Sequence, residues 1–207
     1  LLEAERGEPL SLNPSSQLDW SEVRNHVQAY GMRNSNVMAI APTATIANIT
    51  GVYPCTEPAY KNMYMKENLS GSFVIINQYL INRLQALGLW NTGLLNTLKL
   101  HNGSIQSIDE IPSEIKAVFK EVFEVDTHWL IEAAARRGKW IDQSASTNIF
   151  TATTSGRVLG DIYQKAWKMG LKTTYYLRTL AASQVEKSGV EAVEACSITD
   201  PSCEVCQ

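Results

Sequence analysis

Three of the four cysteines in this chain, Cys196, Cys203 and Cys206, lie within its last twelve residues. Cys203 and Cys206 form a Cys-x-x-Cys pair, a spacing used for both thiol–disulfide exchange and metal binding. A zinc site built from the three thiolates would need a fourth ligand, and no histidine lies in this segment. Secreted disulfide frameworks spread their cysteines through the fold. The clustered thiols therefore favour a redox or metal role in the cytoplasm.

A second stretch with chemical potential runs from Asn36 to Gly51. Its apolar start, Val37–Ile40, has strand character, and after Pro42 it passes through small and hydroxylated residues into a helix-compatible segment. Such a turn leaves backbone N–H groups unpaired at the start of the helix, where the helix dipole adds partial positive charge. The stretch predicts either a phosphate site or an ordinary capped helix, and the second outcome is the more common one.

The elements that must position these residues alternate between helices and short strands. Apolar stripes ended by Gly or Asn-Gly predict helices, and short β-rich runs predict strands. The predicted helices cover about residues 19–30, 46–49, 77–87, 91–101, 113–122, 126–137 and 155–169. The predicted strands cover 37–40, 147–151 and 173–177, with extended segments around Tyr64 and Phe73. Strands joined by long helical connections indicate an α/β fold with parallel pairing, and three or four strands are too few to close a barrel.

The composition is that of a globular chain. Of 207 residues, 44% are hydrophobic and 19% are charged, so a core can form. The net charge of −3 argues against a nucleic-acid partner, which would need a clustered basic surface. Apolar runs are short, as in Phe73–Ile76, and no signal peptide is visible, so no membrane span is predicted. The chain opens at Leu1 without a Met, and we expect it to be a piece of a longer protein.

The two ends of the chain have compositions unlike the middle. Residues 1–17 are polar and contain two prolines, so we expect a connector. No aromatic residue follows Tyr176, and from Ala181 onward the chain is rich in Ala, Ser, Glu, Val and Lys. Such a segment buries too little apolar surface to offset its ordering entropy. The expected division is one folded unit over residues 1–180 and a mobile tail over residues 181–207.

Several segments together resemble the C-terminal part of the large (alpha) subunit of class I ribonucleoside-diphosphate reductase. The resemblance covers nearly the whole chain and rests on the order and spacing of the segments. The matching segments are Tyr30-Gly-Met-Arg-Asn-Ser35, Ala41-Pro-Thr-Ala-Thr45, Asn102-Gly-Ser-Ile-Gln-Ser107, Ile141-Asp-Gln-Ser144, Gly170-Leu-Lys-Thr-Thr-Tyr-Tyr-Leu-Arg-Thr179, Cys196 and Cys203-Glu-Val-Cys206. The resemblance implies that residues 1–180 are the C-terminal portion of the family's ten-stranded α/β barrel. It also implies radical-based reduction of ribonucleoside diphosphates to 2′-deoxyribonucleoside diphosphates for DNA synthesis.

The resemblance also implies a role for the turn after Pro42. In this family a Pro-Thr-Ala-Ser/Thr turn holds the diphosphate of the substrate. The corresponding residues here are Thr43, Ala44, Thr45, Ile46 and Ala47. Many members have a hydroxyl residue where this chain has Ile46. That difference leaves a backbone donor in place but removes one side-chain contact.

Two adjacent tyrosines, Tyr175 and Tyr176, match the family's radical relay between the small subunit and the active-site cysteine. By the family pattern Tyr176 faces the small subunit and Tyr175 faces the active site. A phenol can release an electron and a proton together, and neighbouring rings shorten each transfer. On the residues alone, a Tyr-Tyr pair in a strand would be read as one core and one surface aromatic. The pair also favours class I over the cobalamin-dependent class, which needs no partner subunit.

The terminal pair Cys203 and Cys206 matches the family's shuttle dithiol. The dithiol reduces the disulfide left in the active site after each turnover and is then reduced by thioredoxin or glutaredoxin. Thiol–disulfide exchange requires a thiolate that reaches its target, which explains cysteines on a mobile tail. Cys196 has counterparts in some members. Cys55, with no thiol or histidine near it in sequence, is predicted to be structural.

Other parts of the family pattern are not present in this sequence. The thiyl-radical cysteine and its Asn-x-Cys-x-Glu motif are missing, as are the ribose-reducing cysteines and the ATP- and dNTP-binding effector elements. We therefore expect no turnover by this chain alone and no cofactor or metal bound by it. The radical would come from a metal-containing small (beta) subunit, and the active site would need the N-terminal part of the large subunit. The alternative is a stand-alone phosphate- or zinc-binding module with a cysteine-rich tail.

Overall fold

The computed structural model describes residues 2–68, 71–153 and 155–180. Within these ranges, helices alternate with short strands. The α-helices are α1 (Leu2–Arg6), α2 (Ser21–Tyr30), α3 (Ala44–Thr50), α4 (Gln78–Ala86), α5 (Thr92–Leu100), α6 (Ser113–Val118), α7 (Thr127–Gly138) and α8 (Gly156–Lys168). The strands are β1 (Met63–Asn68), β2 (Gly71–Ile76), β3 (Ile149–Thr151) and β4 (Leu177–Thr179), and a short 3-10 turn covers Val122–Glu124. Helices α2 to α5, α7 and α8 confirm the predicted positions. The helix predicted at 113–122 was wrong beyond Val118, where α6 ends, because the N–H of Val122 donates to the Ala59 carbonyl at 2.9 Å and not to a carbonyl within the helix.

The first core is built on a hairpin and two helices. Strands β1 and β2 pair antiparallel, with Met63 opposite Ile76, which confirms the two extended segments. Asn77 then caps α4, because its side-chain oxygen accepts the N–H of Tyr79 at 3.1 Å. Helices α4 and α5 bury their apolar stripes against the segment that follows them. The buried side chains of this core are Met63, Leu80, Leu84, Leu94, Leu98, Ile105, Ile108, Ile111 and Ile115.

The second core holds the strand that leads to the tyrosine pair. Helices α7 and α8 pack on each other and on β3, where Ile149 is fully buried. The buried side chains of this core are Ile131, Ala135, Ile149, Ile162, Ala166 and Met169. Burial of these side chains removes apolar surface from water on both helices and on the strand, so it fixes β3 against them.

Strands β3 and β4 pair in parallel, with Ile149 opposite Leu177 and Thr151 opposite Thr179. Helix α8 forms the connection between them, as parallel pairing requires. A second parallel contact is an isolated bridge between Ile40 and Ala145. The described residues therefore form a mixed α/β fold with parallel pairing, as predicted.

The extent of the predicted strands was wrong in three places. The strand predicted at 147–151 begins only at Ile149. At 37–40, only Ile40 makes a strand-type bridge. The N–H groups of Val37 and Met38 donate instead to the carboxylate of Asp142, so they are not available to a neighbouring strand. The strand predicted at 173–177 begins at Leu177 and runs to 179.

The prediction of a polar connector at residues 1–17 was wrong for its first part. This part forms α1, and the Arg6 guanidinium lies over the Trp167 ring of α8 at 5.4 Å. The N–H of Ser11 donates to the carbonyl of Lys168 at 3.0 Å, and Leu12 packs against the second core. Isolated leucines in a polar stretch carry no periodic signal, so the sequence did not reveal this contact. Across the described ranges, no helix is long and apolar enough to cross a membrane.

Candidate functional site

The turn that precedes α3 presents unpaired backbone donors. Thr43 is the residue before the helix and has a left-handed backbone, with φ of 52°. Its carbonyl accepts the N–H of Ala47 at 2.9 Å and so closes the first helical turn. Among the residues that the structure describes, the N–H groups of Ala44, Thr45 and Ile46 have no acceptor. They are the orphan donors that a helix start offers to an anion.

The side chains of this turn divide into an exposed set and an anchor. Ala44, Thr45 and Ile46 are exposed, whereas Ala47 is buried with 1% of its surface accessible. Ala47 thus attaches the helix to the protein, and the residues before it face outward. The Thr43 hydroxyl oxygen accepts the N–H of Cys55 at 3.0 Å, and its own proton remains available to a ligand.

Cys55 lies behind the turn and also has a left-handed backbone, with φ of 58°. Its side chain is half-buried. Burial, followed by the neighbouring Glu57 carboxylate, raises the pKa of the Cys55 thiol to about 11. The thiol is therefore protonated at neutral pH, and a protonated thiol is a poor nucleophile. The structural role of Cys55 stays a prediction.

Glu57 connects the Cys55 loop to Asn148, the residue before strand β3. One carboxylate oxygen, Oε1, accepts the N–H of Asn148 at 3.0 Å. The other oxygen, Oε2, and the amide oxygen of Asn148 are buried without a hydrogen-bond partner among the described residues. Sequence reasoning missed both residues. The only signal was that Glu57 is the one charged residue of the loop at 51–60.

The two predicted relay tyrosines lie side by side just before β4. Their ring centroids are 4.1 Å apart and the rings are tilted by 55°. Both side chains are about half-exposed, Tyr175 at 49% and Tyr176 at 50%, so neither is a core aromatic. The backbone fixes them beside β3: Tyr175 N–H donates to the Thr147 carbonyl, and Ile149 N–H donates to the Tyr176 carbonyl, both at 2.8 Å.

The surroundings of the pair favour the protonated form of Tyr175. A side-chain interaction with Tyr176 raises the pKa of Tyr175 above the usual range of a phenol. On the other side of the pair, the Arg178 guanidinium lies 5.1 Å from the centroid of the Tyr176 ring. A cation over an aromatic face is attracted by the ring quadrupole. Oxidation of the Tyr175 phenol must therefore release a proton as well as an electron.

The fold brings the turn and the tyrosine pair into one connected region. Thr43 bonds to Cys55, whose thiol lies beside Glu57, and Glu57 bonds to Asn148 in the segment that pairs with Tyr175. Cys196, Cys203 and Cys206 lie outside the described residues. Within those residues, no cluster of three or more His, Cys, Asp or Glu side chains is arranged to hold a metal ion.

The alternation of helices with short strands, two of them paired in parallel, places the chain in the α/β class. A family model described as "Ribonucleotide reductase, barrel domain" matches residues 3–177. The chain belongs to this ribonucleotide reductase family. This finding confirms the family and the fold inferred from the sequence segments.

Similarity to individual reductase subunits extends the match. The chain is 50% identical over 192 residues to the ribonucleoside-diphosphate reductase subunit alpha of Chlamydia pneumoniae, covering 92% of this chain and 18% of that protein. It is 41% identical over 184 residues to the large chain of Schizosaccharomyces pombe, covering 88% of this chain and 23% of that protein. The chain thus spans less than a quarter of the length of these relatives.

A solved structure shows the same fold. The class Id ribonucleotide reductase alpha subunit of Actinobacillus ureae superposes on this chain with a TM-score of 0.66 and 34% sequence identity. The superposition covers 75% of this chain and 28% of that one. The fold described above is therefore that of one region of a larger reductase subunit.

Proposed function

We propose that this chain is the region of a ribonucleoside-diphosphate reductase large subunit that holds the substrate diphosphate and carries the radical relay. The reaction is the reduction of ribonucleoside diphosphates to 2′-deoxyribonucleoside diphosphates. The observation that carries the proposal is the tyrosine pair, with ring centroids 4.1 Å apart, which is connected to the turn through the bonded residues Asn148, Glu57 and Cys55. Membership of the reductase family supplies the reaction class.

The turn residues hold the diphosphate through the backbone. The N–H groups of Ala44, Thr45 and Ile46 supply three donors, and the hydroxyls of Thr43 and Thr45 supply two more. Small side chains at this turn let phosphate oxygens approach the backbone. Ile46 contributes only its N–H, and Ala47 acts by anchoring the helix, since its own N–H is bonded to the Thr43 carbonyl.

The tyrosine pair moves an electron and a proton together. When Tyr176 is a neutral tyrosyl radical, Tyr175 gives up one electron and its phenolic proton, Tyr176 gains both, and the radical now resides on Tyr175. The total charge on the pair does not change. Neighbouring rings keep the electron's path short, and the half-exposed ring of Tyr176 faces the small (beta) subunit that supplies the radical.

The remaining components lie outside the described residues or on other chains. Cys203 and Cys206 serve as the shuttle dithiol, which is oxidised to a disulfide as it reduces the active-site disulfide and is then reduced by thioredoxin or glutaredoxin. The thiyl-radical cysteine comes from the N-terminal part of the large subunit, because this sequence has no Asn-x-Cys-x-Glu motif. The chain alone is therefore inactive, and its own residues bind no cofactor.

Replacement of Tyr176 tests the proposal. The enzyme is reconstituted with the rest of the large subunit and the small subunit. In it, Tyr176→Phe should abolish turnover, because phenylalanine has no phenolic proton to transfer and its ring is much harder to oxidise than a phenol. Binding of the nucleoside diphosphate should be unchanged. Tyr30→Phe is the matched control, since Tyr30 is 80% exposed on α2. Turnover by Tyr176→Phe near that of the control would rule out the relay.

A further inference from the structure

Lys172 lies three residues before Tyr175 and holds a loop that no predicted role includes. Its ammonium group donates to three consecutive backbone carbonyls, those of Ile141 at 3.1 Å, Asp142 at 2.7 Å and Gln143 at 2.7 Å. An ammonium group has three donors and no acceptor, so this arrangement uses all of them. The three carbonyls converge on one point charge.

The other side of the same loop holds the segment that leads to the phosphate turn. The Asp142 carboxylate accepts the N–H of Val37 at 2.6 Å through one oxygen and the N–H of Met38 at 2.9 Å through the other. The N–H of Gln143 donates back to the Met38 carbonyl at 3.0 Å. These donors lower the pKa of Asp142, so the carboxylate stays ionised and keeps accepting both bonds at neutral pH.

The bonds continue along the chain toward the turn. The N–H of Ile40 donates to the Ser144 carbonyl at 3.2 Å, and the N–H of Ser146 donates to the Ile40 carbonyl at 2.8 Å. Segment 37–40 is thus fixed along its length to the loop and the residues that follow it. Thr43 comes three residues after the last of these contacts.

We infer that Lys172 is a positioning residue that fixes the phosphate turn relative to the tyrosine pair, acting through the 141–143 loop and Asp142. Lys172 starts the segment that carries Tyr175, and Asp142 holds the segment that carries Thr43. The Lys172 ammonium group joins the two segments. The inference rests on the proposed function, because the relative position of the turn and the tyrosine pair affects activity only if the turn binds substrate and the pair transfers the radical.

Lysine suits this position better than arginine. Its ammonium is a compact point charge on a flexible stem, whereas the guanidinium of arginine is a planar fork that matches carboxylates and phosphates. Three converging carbonyls fit the compact ammonium group of lysine and do not fit the planar guanidinium group of arginine. Lys172→Arg should therefore behave like Lys172→Met rather than like the native enzyme.

The test uses the reconstituted holoenzyme with Lys172→Met and with Lys99→Met, an exposed lysine of α5, as matched control. Hydrogen exchange of the amides in segment 37–40 should accelerate at least about tenfold in Lys172→Met, as expected for lost hydrogen bonds to a charged group. Lys172 contacts none of these amides, so a change there can reach them only through the loop. The KM for the nucleoside diphosphate should rise and kcat should fall in the same variant, with no change in the control.

A double-mutant cycle distinguishes the specific coupling from a general loss of stability. The coupling runs through a clamp formed by Lys172, the 141–143 loop and the Asp142 carboxylate. Asp142→Asn weakens the same clamp from the other side, so the effects of Lys172→Met and Asp142→Asn on KM should be clearly less than additive. Unchanged exchange in segment 37–40, or additive effects of the two substitutions, would overturn the inference. Failure of the proposed function would give another result. Tyr176→Phe would retain turnover, while Lys172→Met would still accelerate hydrogen exchange in segment 37–40.

Discussion

Thr43 and Cys55 hold each other in an unfavourable backbone conformation. Both residues are left-handed, with φ of 52° and 58°, and the Thr43 hydroxyl accepts the Cys55 N–H at 3.0 Å. A left-handed conformation at a residue other than glycine costs of the order of 1–2 kcal/mol. The bond between the two residues offsets part of this cost. It also locks the turn in the shape that leaves the donors of α3 unpaired.

Removal of the Thr43 hydroxyl should weaken substrate binding. Thr43→Val keeps the branched shape and the backbone strain but loses both the bond to Cys55 and the donor to the diphosphate. We expect KM for the nucleoside diphosphate to rise about tenfold, the effect of one lost hydrogen bond to a charged group. Thr43→Ser keeps the hydroxyl and should stay within about twofold of the native KM. Equal KM values for the two variants would contradict a role for the hydroxyl.

The Cys55 thiol should be unusually slow to alkylate. Its pKa of about 11 lies roughly two units above that of an ordinary thiol, so its thiolate fraction at pH 8 is about a hundredfold lower. The rate of modification by iodoacetamide, followed by mass spectrometry of the Cys55 peptide, should keep rising with pH to about 11.

Glu57→Gln should make Cys55 moderately more reactive. The neighbouring carboxylate raises the thiol pKa, so its removal should lower that pKa, while the larger contribution of burial remains. The glutamine carbonyl can still accept the Asn148 N–H, so the loop should keep its place. Glu114→Gln, an exposed carboxylate on α6, is the matched control. A rate that levels off near pH 8.5 in the native protein would contradict the raised pKa.

The sequence predicted the elements well where the signal was local. Asn77 and the apolar stripe that follows it predict α4, and Leu80 and Leu84 are fully buried in the structure. The strand near Val37 was wrong because its outcome depends on Asp142, about a hundred residues later in the chain. No local pattern shows that a carboxylate takes the N–H groups that a neighbouring strand would otherwise pair.

The residues of the candidate site also differ in whether a local sequence pattern could predict them. Thr43 and the tyrosine pair could be predicted as site residues because they lie in segments that match the family. Glu57 and Lys172 were not, although Lys172 lies within a matching segment, because their roles arise from contacts across the fold. Residues that position others carry little sequence signal. Their partners are backbone atoms, which every residue has.

Cys203→Ser should separate the shuttle from the chemistry. Thioredoxin-dependent turnover of the reconstituted enzyme should be lost, since a serine hydroxyl forms no disulfide. Activity with a small dithiol should remain, because such a reductant reaches the active-site disulfide without the shuttle. Ser202→Ala is a control at the neighbouring position. If Cys203→Ser lost activity with both reductants, the shuttle assignment would be wrong.

Glu121 should make the stability of the protein depend on pH. Its side chain is 7% exposed, and its Oε1 accepts the N–H of Asn62 at 2.8 Å. Burial, followed by repulsion from the Glu124 carboxylate, raises the pKa of Glu121 from 4.5 to about 7, against the opposing effects of the Asn62 bond and Lys61. A raised carboxyl pKa means that the folded state favours the protonated acid. The associated stability is present below pH 4.5 and is lost as the pH rises to about 7.

Glu121→Gln should remove this dependence, because the amide stays neutral and its oxygen can still accept the Asn62 N–H. Relative to the variant, the native protein should lose of the order of 1–2 kcal/mol between pH 5 and pH 8, after allowance for solvent screening. Urea unfolding of both proteins at the two pH values measures the difference, and other titrating groups cancel in the comparison. Glu110→Gln, an exposed carboxylate, should show no such change. If the unfolding midpoints of the native protein and of Glu121→Gln shifted in parallel with pH, the pKa of Glu121 would be that of an ordinary carboxyl group. That result would contradict the raised pKa.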